Sequence, residues 1–401
     1  MKRKTQDILD AKAPTSLYVH IPFCKSRCFY CDFNTFVTPD QAMEDYLVRL
    51  QKEFVLIAEQ SKEPLKTVFF GGGTPTMFHT NQLERMLETI HKYFSIAKDA
   101  EISLEANPGS ATEKKLRSLY NHGVNRISFG AQSFNDRHLM TIGRLHDSDA
   151  IKKSVYMAQE IGFRRINIDL MFGLPDQSFL DVEESIAEAL KLNVEHISAY
   201  WLKVEAGTPF AVWQAQGRLP LPGEDAEAKM YDYIRRALSA AGFAHYEISN
   251  FAKPGEEAKH NLVYWHNEPF FAAGAGAHGY AYGVRYENVK SLSDYGTRMD
   301  KNERPIASNH LVSASESMEN TMMLGLRLQE GVNDTRFTAR HGMSMKSVFG
   351  HIIDPLIAKG LLEWHSNSTV LKVAAHSWPV ANLVFEKFVD VCNPDIYDET
   401  V

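Results

Sequence analysis

The 401-residue sequence is poor in cysteine, has no long hydrophobic run and carries no excess of positive charge. Four cysteines are too few for the disulfide framework of a secreted protein. No stretch approaches the roughly 18 apolar residues of a membrane-spanning helix, and residues 1–16 lack the apolar core of a secretory signal. The 43 Lys and Arg against 50 Asp and Glu argue against a broad nucleic-acid-binding face. We therefore expect a cytoplasmic globular protein without a nucleic-acid partner or an integral membrane segment.

Three of the four cysteines lie within eight residues, in the segment HIPFCKSRCFYCDF. Cys24, Cys28 and Cys31 have the spacing C-x3-C-x2-C. A structural zinc ion usually has four protein ligands, and a disulfide would leave one of the three cysteines over. Three thiolates suit a cubane 4Fe-4S cluster in which one iron keeps an open coordination position. We predict such a cluster here and no role for Cys392, which lies in a polar C-terminal segment.

Apolar, β-rich runs alternate with amphipathic helical stretches through the first half of the chain. The runs cover residues 16–22, 66–72, 101–108, 126–133, 165–173 and 196–202, and the clearest helical stretches cover 42–60, 81–94 and 178–192. Strands that alternate with helices indicate parallel βαβ units. Six units in a row predict an α/β fold, an open (β/α)6 barrel. The cysteine loop would then lie at the carboxyl ends of its strands, where active residues of such barrels converge.

The ends of these predicted strands are polar. A carboxylate in a buried strand is costly unless it is paired or holds a ligand. Each polar residue by itself could serve only a turn or a helix cap. Several of them on one face of a barrel instead predict a ligand site. They are Gly72, Gly73 and Thr74 after the second strand, Glu105 in the third, Gln132 in the fourth and Asp169 in the fifth, with Arg144 farther along the chain.

The cysteine motif, with Tyr30 before its last cysteine, resembles the signature of the radical S-adenosylmethionine (SAM) superfamily. This resemblance implies that the open iron chelates the amino and carboxylate groups of SAM, which the reduced cluster can cleave to a radical. The motifs YVHIPFC, GGGTPT, SLEANP, SFGAQS, IGRLH and DLMFGLP narrow it to the oxygen-independent coproporphyrinogen III oxidase group. The SAM contacts implied by that resemblance are Tyr18, Tyr30, Gly72, Gly73, Thr74, Glu105, Gln132, Arg144 and Asp169.

The chemistry of these side chains suggests a role for each part of SAM. Arg144 would face the methionine carboxylate, since a guanidinium can form two hydrogen bonds to it. Glu105 and the backbone of residues 72–74 suit the ammonium group. Gln132 and Asp169 suit the ribose hydroxyls or the same polar end of SAM.

Two features differ from the oxidases. The oxidase pattern continues C-x3-C-x2-C-x-C, but here Phe33 stands where the extra cysteine would be, and the first predicted strand begins by residue 16, without a longer N-terminal arm. The CDF sequence and the motif HNLVYW at 260–265 resemble HemW-type heme chaperones. This resemblance implies heme as a ligand, hemoproteins as acceptors, and His260 as a heme contact packed by Tyr264 and Trp265. Without the resemblance, His260 would be read as a hydrogen-bonded core histidine.

The C-terminal third has the pattern of helices followed by two strands and a last helix over 377–389, which resembles a winged-helix domain. A lid or a partner surface is the alternative interpretation, and VAAHSWP departs from the T-x-x-G element usual in this family. We predict five segments along the chain. They are an N-terminal segment (1–15), the radical SAM barrel (16–242), a linking region with the heme motif (243–310), a mainly helical winged-helix-like domain (311–392) and a tail (393–401).

The sequence therefore favours a heme chaperone with a 4Fe-4S cluster and exchangeable SAM. The alternative is an oxygen-independent coproporphyrinogen III oxidase of porphyrin biosynthesis. A tetrapyrrole methyltransferase would need a second SAM site that the sequence does not reveal, and a scaffold role gives no reason for three clustered thiols. No catalytic residue is predicted, and the heme acceptor and the oligomeric state stay open.

Overall fold

The computed structural model of the chain describes residues 12–367 and 369–392. The predictions for the extreme N-terminus and for the tail fall largely outside these residues. The central sheet contains β1 (Ser16–Ile21), β2 (Leu65–Gly72), β3 (Ile96–Ala106), β4 (Arg126–Gln132), β5 (Arg165–Phe172), β6 (His196–Trp201), β7 (Ala244–Glu247), β8 (Asn250–Ala252) and β9 (Phe271–Ala273).

The first six strands are parallel neighbours in chain order, as expected for an open (β/α)6 barrel. Three further strands lengthen this sheet to nine. At one edge, β8 pairs antiparallel with β6 and with β7, and at the other edge β9 pairs parallel with β1. The predicted barrel is confirmed, and part of the predicted linking region continues its sheet. The predicted domain boundaries themselves stay a prediction.

Helices follow the barrel strands and bury one apolar face each. In α1 this face contains Leu47, Leu50 and Phe54, all with no exposed surface. The helices before the heme motif are α1 (Asp40–Ala58), α2 (Thr80–Tyr93), α3 (Glu113–Asn121), α4 (Asp136–Thr141), α5 (Ser148–Ile161), α6 (Phe179–Lys191), α7 (Pro209–Ala215) and α8 (Glu224–Ala240). Because apolar residues also fill the strands, the main core lies between the sheet and these helices.

The heme motif forms a short helix, α9 (Lys259–Trp265), directly before β9. A small antiparallel sheet of β10 (His278–Ala281), β11 (Val284–Asn288) and β12 (Ile306–Leu311) follows, with α10 (Leu292–Asp300) between its last two strands. None of the helices in the described part of the chain is long and apolar enough to span a membrane.

The C-terminal region has the expected order of helices and wing strands. It contains α11 (Ala314–Gly325), α12 (Asp334–His341), α13 (Met345–Ala358) and a three-stranded sheet of β13 (Val332–Asn333), β14 (Leu362–His365) and β15 (Val370–Val373). The single last helix predicted over 377–389 is wrong. A 3-10 helix (Ala375–Val380), the four-residue α14 (Asn382–Phe385) and a second 3-10 turn replace it. Pro379 has no N–H to continue an α-helical ladder.

Candidate functional site

The three clustered cysteines lie in the loop that leaves β1 at its carboxyl end. All three are partly exposed. The loop is held at both ends, because the Cys24 amide donates to the Phe36 carbonyl at 3.0 Å and the Phe29 amide donates to the Ile142 carbonyl at 3.1 Å. Between them, the Cys31 amide closes a turn onto the Cys28 carbonyl. The backbone thus presents three thiols from one anchored loop.

Two of the sulfurs are linked to the predicted SAM contacts. Cys24 Sγ lies 3.7 Å from Thr74 Oγ1, and the guanidinium of Arg144 donates to Cys28 Sγ at 3.5 Å. Asn107 joins these two residues, because its amide nitrogen donates to Thr74 Oγ1 at 2.8 Å and its oxygen accepts from Arg144 at 2.6 Å. A continuous chain of polar contacts therefore runs from one cysteine, across β2, β3 and β4, to another.

The donor set of this loop fits a cluster better than a single ion. No three His, Cys, Asp or Glu side chains within residues 12–367 and 369–392 have the geometry to hold one metal ion. In a cubane, by contrast, separate thiolates can bind separate irons. Burial raises the pKa of Cys31 to about 11 and also raises that of Cys24. These thiols are neutral at pH 7 until a metal takes the place of their protons.

Two carboxylates face the barrel interior near the same end. Glu105 Oε2 accepts from the Gly72 amide at 3.2 Å, whereas Asp169 accepts from Ser128 at 2.9 Å and from Asn167 at 2.8 Å. Burial, and then the negative charge of Asp169, raise the pKa of Glu105 to about 8. A cationic ligand bound here would stabilise the ionised form of Glu105 and lower its pKa again.

The glycines of β2 keep side chains away from this space. Gly72 has a φ of +111°, and a Cβ on it would lie 2.6 Å from the ring of His20. A Cβ on Gly73 would lie 2.7 Å from the carbonyl oxygen of Phe23. Gln132 is the residue at the end of β4 with a left-handed φ of 70°, next to an irregularity in the β4–β5 pairing. Such strain in a non-glycine residue is typical of functional sites.

Of the two tyrosines predicted to contact SAM, Tyr18 lies in β1 and Tyr30 lies between the second and third cysteines. The hydroxyl of Tyr18 is 3.0 Å from His20 Nδ1, and its ring stacks on Phe69 with centroids 6.2 Å apart. Tyr30 packs against Phe210 at 6.5 Å, and burial raises its pKa. The structure thus brings the cysteines, Thr74 and Arg144 together through direct contacts, and it puts Glu105, Gln132 and Asp169 at neighbouring strand ends.

His260 lies in a different part of the barrel and has no exposed surface. Its Nδ1 is 2.7 Å from Thr67 Oγ1 and its Nε2 is 2.8 Å from the Tyr264 hydroxyl, so both ring nitrogens are hydrogen-bonded. The ring also stacks on Phe69 with centroids 5.3 Å apart. Burial and the positive charge of Arg126 lower the pKa of His260 to about 3. In this conformation the imidazole is neutral and has no nitrogen available for iron.

A buried carboxylate fixes the start of α9 toward the amino end of the sheet. Glu101 accepts from the amides of Lys259 and His260, both at 3.1 Å, and pairs with Arg165 at 3.0 Å. Negative charge at a helix N-terminus is stabilising. Glu101 is level with Thr67 in the sheet and four residues before Glu105, which is roughly 13 Å along a strand. The helix of the heme motif therefore packs toward the amino end of the barrel strands, on the side away from the strand-end site.

Comparison with known proteins agrees with this fold. The family model of the radical SAM superfamily matches residues 18–189, and the model of the HemN C-terminal domain matches residues 312–372. The structure of coproporphyrinogen III oxidase (HemN) from Escherichia coli, described as a radical SAM enzyme, has a TM-score of 0.83 and 23% identity. The matched region covers 97% of this chain and 93% of the HemN chain. At that identity the likeness shows the fold, so the barrel and its cysteine loop define a protein with the radical SAM fold.

Sequence relatives show which family with the radical SAM fold this chain belongs to. The heme chaperone HemW of Bacillus subtilis is 41% identical over 93% of this chain and 99% of its own length. HemW of Escherichia coli is 35% identical over 87% of this chain and 92% of its own. The chain therefore belongs to the family of HemW heme chaperones. These relatives give no support to a role in porphyrin biosynthesis.

Sequence reasoning missed several residues that complete the site. Asn107 could have been predicted, since it stands two residues after Glu105 in the motif SLEANP. His20 was also within a quoted motif, yet nothing in the sequence shows that its ring bridges Tyr18 and the Asn34 carbonyl. No sequence pattern marks Thr67 and Glu101 as the residues that hold α9, because their partners are more than 150 residues away.

Proposed function

We propose that this protein binds heme and passes it intact to acceptor hemoproteins, while it carries a 4Fe-4S cluster on Cys24, Cys28 and Cys31 and an exchangeable SAM. The observation that carries the proposal is the presence of three half-buried thiols on one loop of a chain that is 41% identical to a HemW heme chaperone over 99% of that relative's length. Hemoproteins as acceptors follow from the name of those relatives, and the identity of the acceptor is open.

The strand-end residues support the SAM part of the proposal. When bound, the cluster would supply an iron with an open position for the amino and carboxylate groups of SAM. Arg144 is already directed by Asn107 and the Gly130 carbonyl toward the cysteine loop, where its guanidinium can pair with the SAM carboxylate. Glu105 offers a carboxylate whose raised pKa falls again beside a cation. Tyr18, Tyr30, Gly72, Gly73, Thr74, Gln132 and Asp169 complete the proposed set.

The heme part of the proposal involves the other end of the barrel. A contact between His260 and heme iron stays a prediction, because it requires the imidazole to leave Thr67 or Tyr264. Without such a movement, His260 would act by holding α9 against the barrel. Both possibilities keep heme away from the cysteine loop, since α9 begins level with Glu101.

The test is anaerobic reconstitution of the full chain with iron and sulfide, followed by addition of heme, SAM and reductant, and then of an apo-hemoprotein. We expect intact heme to be recovered in the acceptor. A parallel reaction receives coproporphyrinogen in place of heme. If this substrate is decarboxylated and 5′-deoxyadenosine accumulates, the protein is an oxidase and the chaperone proposal is wrong. Protein without added iron and sulfide is the control for the contribution of the cluster.

A further inference from the structure

A large cavity in the described part of the chain lies beside the end of the heme motif, and nothing in the strand-end site uses it. Its volume is about 790 Å³, in the upper part of the roughly 300 to 1,000 Å³ typical of cofactor pockets. The walls come from the end of α9, the β10–β11 hairpin, α11 and α12. A barrel segment and the C-terminal region thus enclose one space.

This cavity is on the amino side of the barrel sheet. Pro269, one of its lining residues, stands two residues before β9, which begins at Phe271. Phe271 pairs with Leu17, near the amino end of β1. Because β1 and β9 are parallel, the cavity lies toward the opposite end of the sheet from the loop that carries the cysteines.

The lining combines large apolar side chains with imidazoles. Trp265, Met318 and Phe337 contribute apolar or aromatic surface, and His266 and His341 contribute ring nitrogens. A flat macrocycle with a central iron needs both kinds of surface, since haem pockets pair an iron ligand such as His with apolar walls. Neutral imidazole is the form that binds metal, and burial lowers the pKa of both histidines.

The two histidines differ in availability. His341 Nε2 is 3.1 Å from Thr321 Oγ1. His266 Nε2 makes no hydrogen bond within residues 12–367 and 369–392, although it is buried as an atom. The same nitrogen is in ion-pair contact with Glu330 Oε1 at 3.1 Å, but the Glu330 side chain is 57% exposed, so this carboxylate can turn toward solvent when a ligand enters. His266 is therefore the imidazole that can most easily accept a metal.

Positive charges stand at the same cavity. Lys12 and Arg336 both line it. Lys12 pairs with Glu268 at the rim, and Arg336 lies on the exposed side of α12. Cations at the edge of an apolar pocket suit the carboxylates of a ligand whose body is apolar. Heme has this division, with an apolar ring and two propionates.

We propose that this cavity is the heme site, with His266 as an iron ligand and Lys12 and Arg336 facing the propionates. The inference rests on the proposed heme-chaperone function and adds the place where heme is held. It puts the cargo in a pocket between α9 and the C-terminal helices, not inside the barrel beside His260. It also gives the His260 network an indirect role, since Trp265 and His266 reach the cavity only while α9 stays anchored.

The test is titration of the purified full-length protein with hemin, followed by its Soret absorbance. His266→Ala removes the proposed ligand, and His351→Ala on the exposed side of α13 is its matched control. We expect His266→Ala to weaken heme binding by about tenfold or more and to change the Soret position, and added imidazole to restore the wild-type spectrum. His351→Ala should bind as wild type does.

A second pair of variants does not depend on removal of a ligand. Ala339→Trp would fill the cavity from an exposed position on α12, and Thr335→Trp puts the same bulk on that helix at a residue that does not line the cavity. Only Ala339→Trp should reduce heme affinity, again by about tenfold.

Equal heme affinity and spectra in wild type, His266→Ala and Ala339→Trp would overturn the site. Loss of the Soret shift in His260→Ala alone, with that variant still folded, would put heme in the barrel and leave the proposed function intact. A wild-type protein that binds no heme at all would reject both proposals. A folded state common to all variants is verified by circular dichroism.

Discussion

The two ends of the barrel use polar residues in opposite ways. At the carboxyl end, Cys28, Arg144 and Glu105 are partly exposed beside the strand ends. Toward the amino end, Glu101 and His260 have no or almost no exposed surface, and the polar atoms of the His260 ring are both paired. Both ends carry recognisable motifs, but the Glu101 and His260 side chains are fully engaged in holding α9, whereas the carboxyl-end residues are those proposed to meet a ligand.

This difference shows that a recognisable motif can belong either to a ligand site or to a purely structural contact, and that the motif alone does not say which. The spacing of the cysteines matches the proposed cluster, and the described fold offers no structural reason for three thiols in one loop. The histidine of HNLVYW constrains the packing of α9, since its contacts link that helix to β2. Burial and hydrogen-bond satisfaction decide between the two.

The largest effect should come from the cysteines. Cys24→Ser, Cys28→Ser and Cys31→Ser, made one at a time, should each abolish the iron–sulfur absorbance after reconstitution, because a cluster with an open iron already lacks a fourth ligand. Heme affinity should change by no more than about twofold, since distant sites are nearly independent. Cys392→Ser is the matched control, and loss of the cluster in that variant would show that the fourth cysteine is a ligand.

The next effect tests the amino end. His260→Ala should lower the free energy of unfolding by about 3 to 5 kcal/mol, because it opens a cavity and leaves Thr67 and Tyr264 without their partner. Urea unfolding at pH 7 measures the change, and His351→Ala is again the exposed control. A change of less than about 1 kcal/mol would mean that His260 does not hold α9 and would remove the contrast between the two ends.

A comparable effect is expected from the raised pKa of Glu105. Between the ordinary carboxyl pKa of 4.5 and the folded value of about 8, the unfolded chain is ionised while the folded chain keeps its proton. Stability of the ligand-free protein should therefore fall by up to about 5 kcal/mol as the pH rises through this range.

Glu105→Gln should lack that fall and be more stable than wild type at pH 9, as measured by urea unfolding at several pH values. Glu184→Gln, on an exposed position of α6, is the matched control. Parallel stability curves for wild type and Glu105→Gln would show that the carboxylate is not desolvated.

The smallest expected effect concerns the residue that links two strand ends. Asn107→Ala should weaken SAM binding by about fivefold, or roughly 1 kcal/mol, because it removes one partner each from Thr74 and Arg144. Calorimetry on the reconstituted protein measures this, with Asn121→Ala at the exposed end of α3 as the control. Unchanged affinity would mean that Arg144 is oriented by the Gly130 carbonyl alone.

Much of the fold and of the strand-end site could be predicted from the sequence. Local periodicity indicates the six barrel strands and the clearest helices between them, and parallel strands bring their carboxyl ends to one edge whatever the details of packing. Polar residues at the ends of β2, β3, β4 and β5 were therefore bound to be neighbours. The spacing of the cysteines is likewise a property of one short segment.

The sequence by itself thus determined the cysteine loop, the six-stranded barrel and the family resemblance, because each depends on residues close together in the chain. Only the tertiary structure decided that β7, β8 and β9 extend the sheet, that His260 is bonded to Thr67 across 193 residues, and that α9, α11 and α12 enclose a cavity. Those features depend on which distant segments meet, and no local pattern encodes the availability of a nitrogen such as that of His266. Packing alone distinguishes an imidazole that holds the fold from one that can hold a ligand.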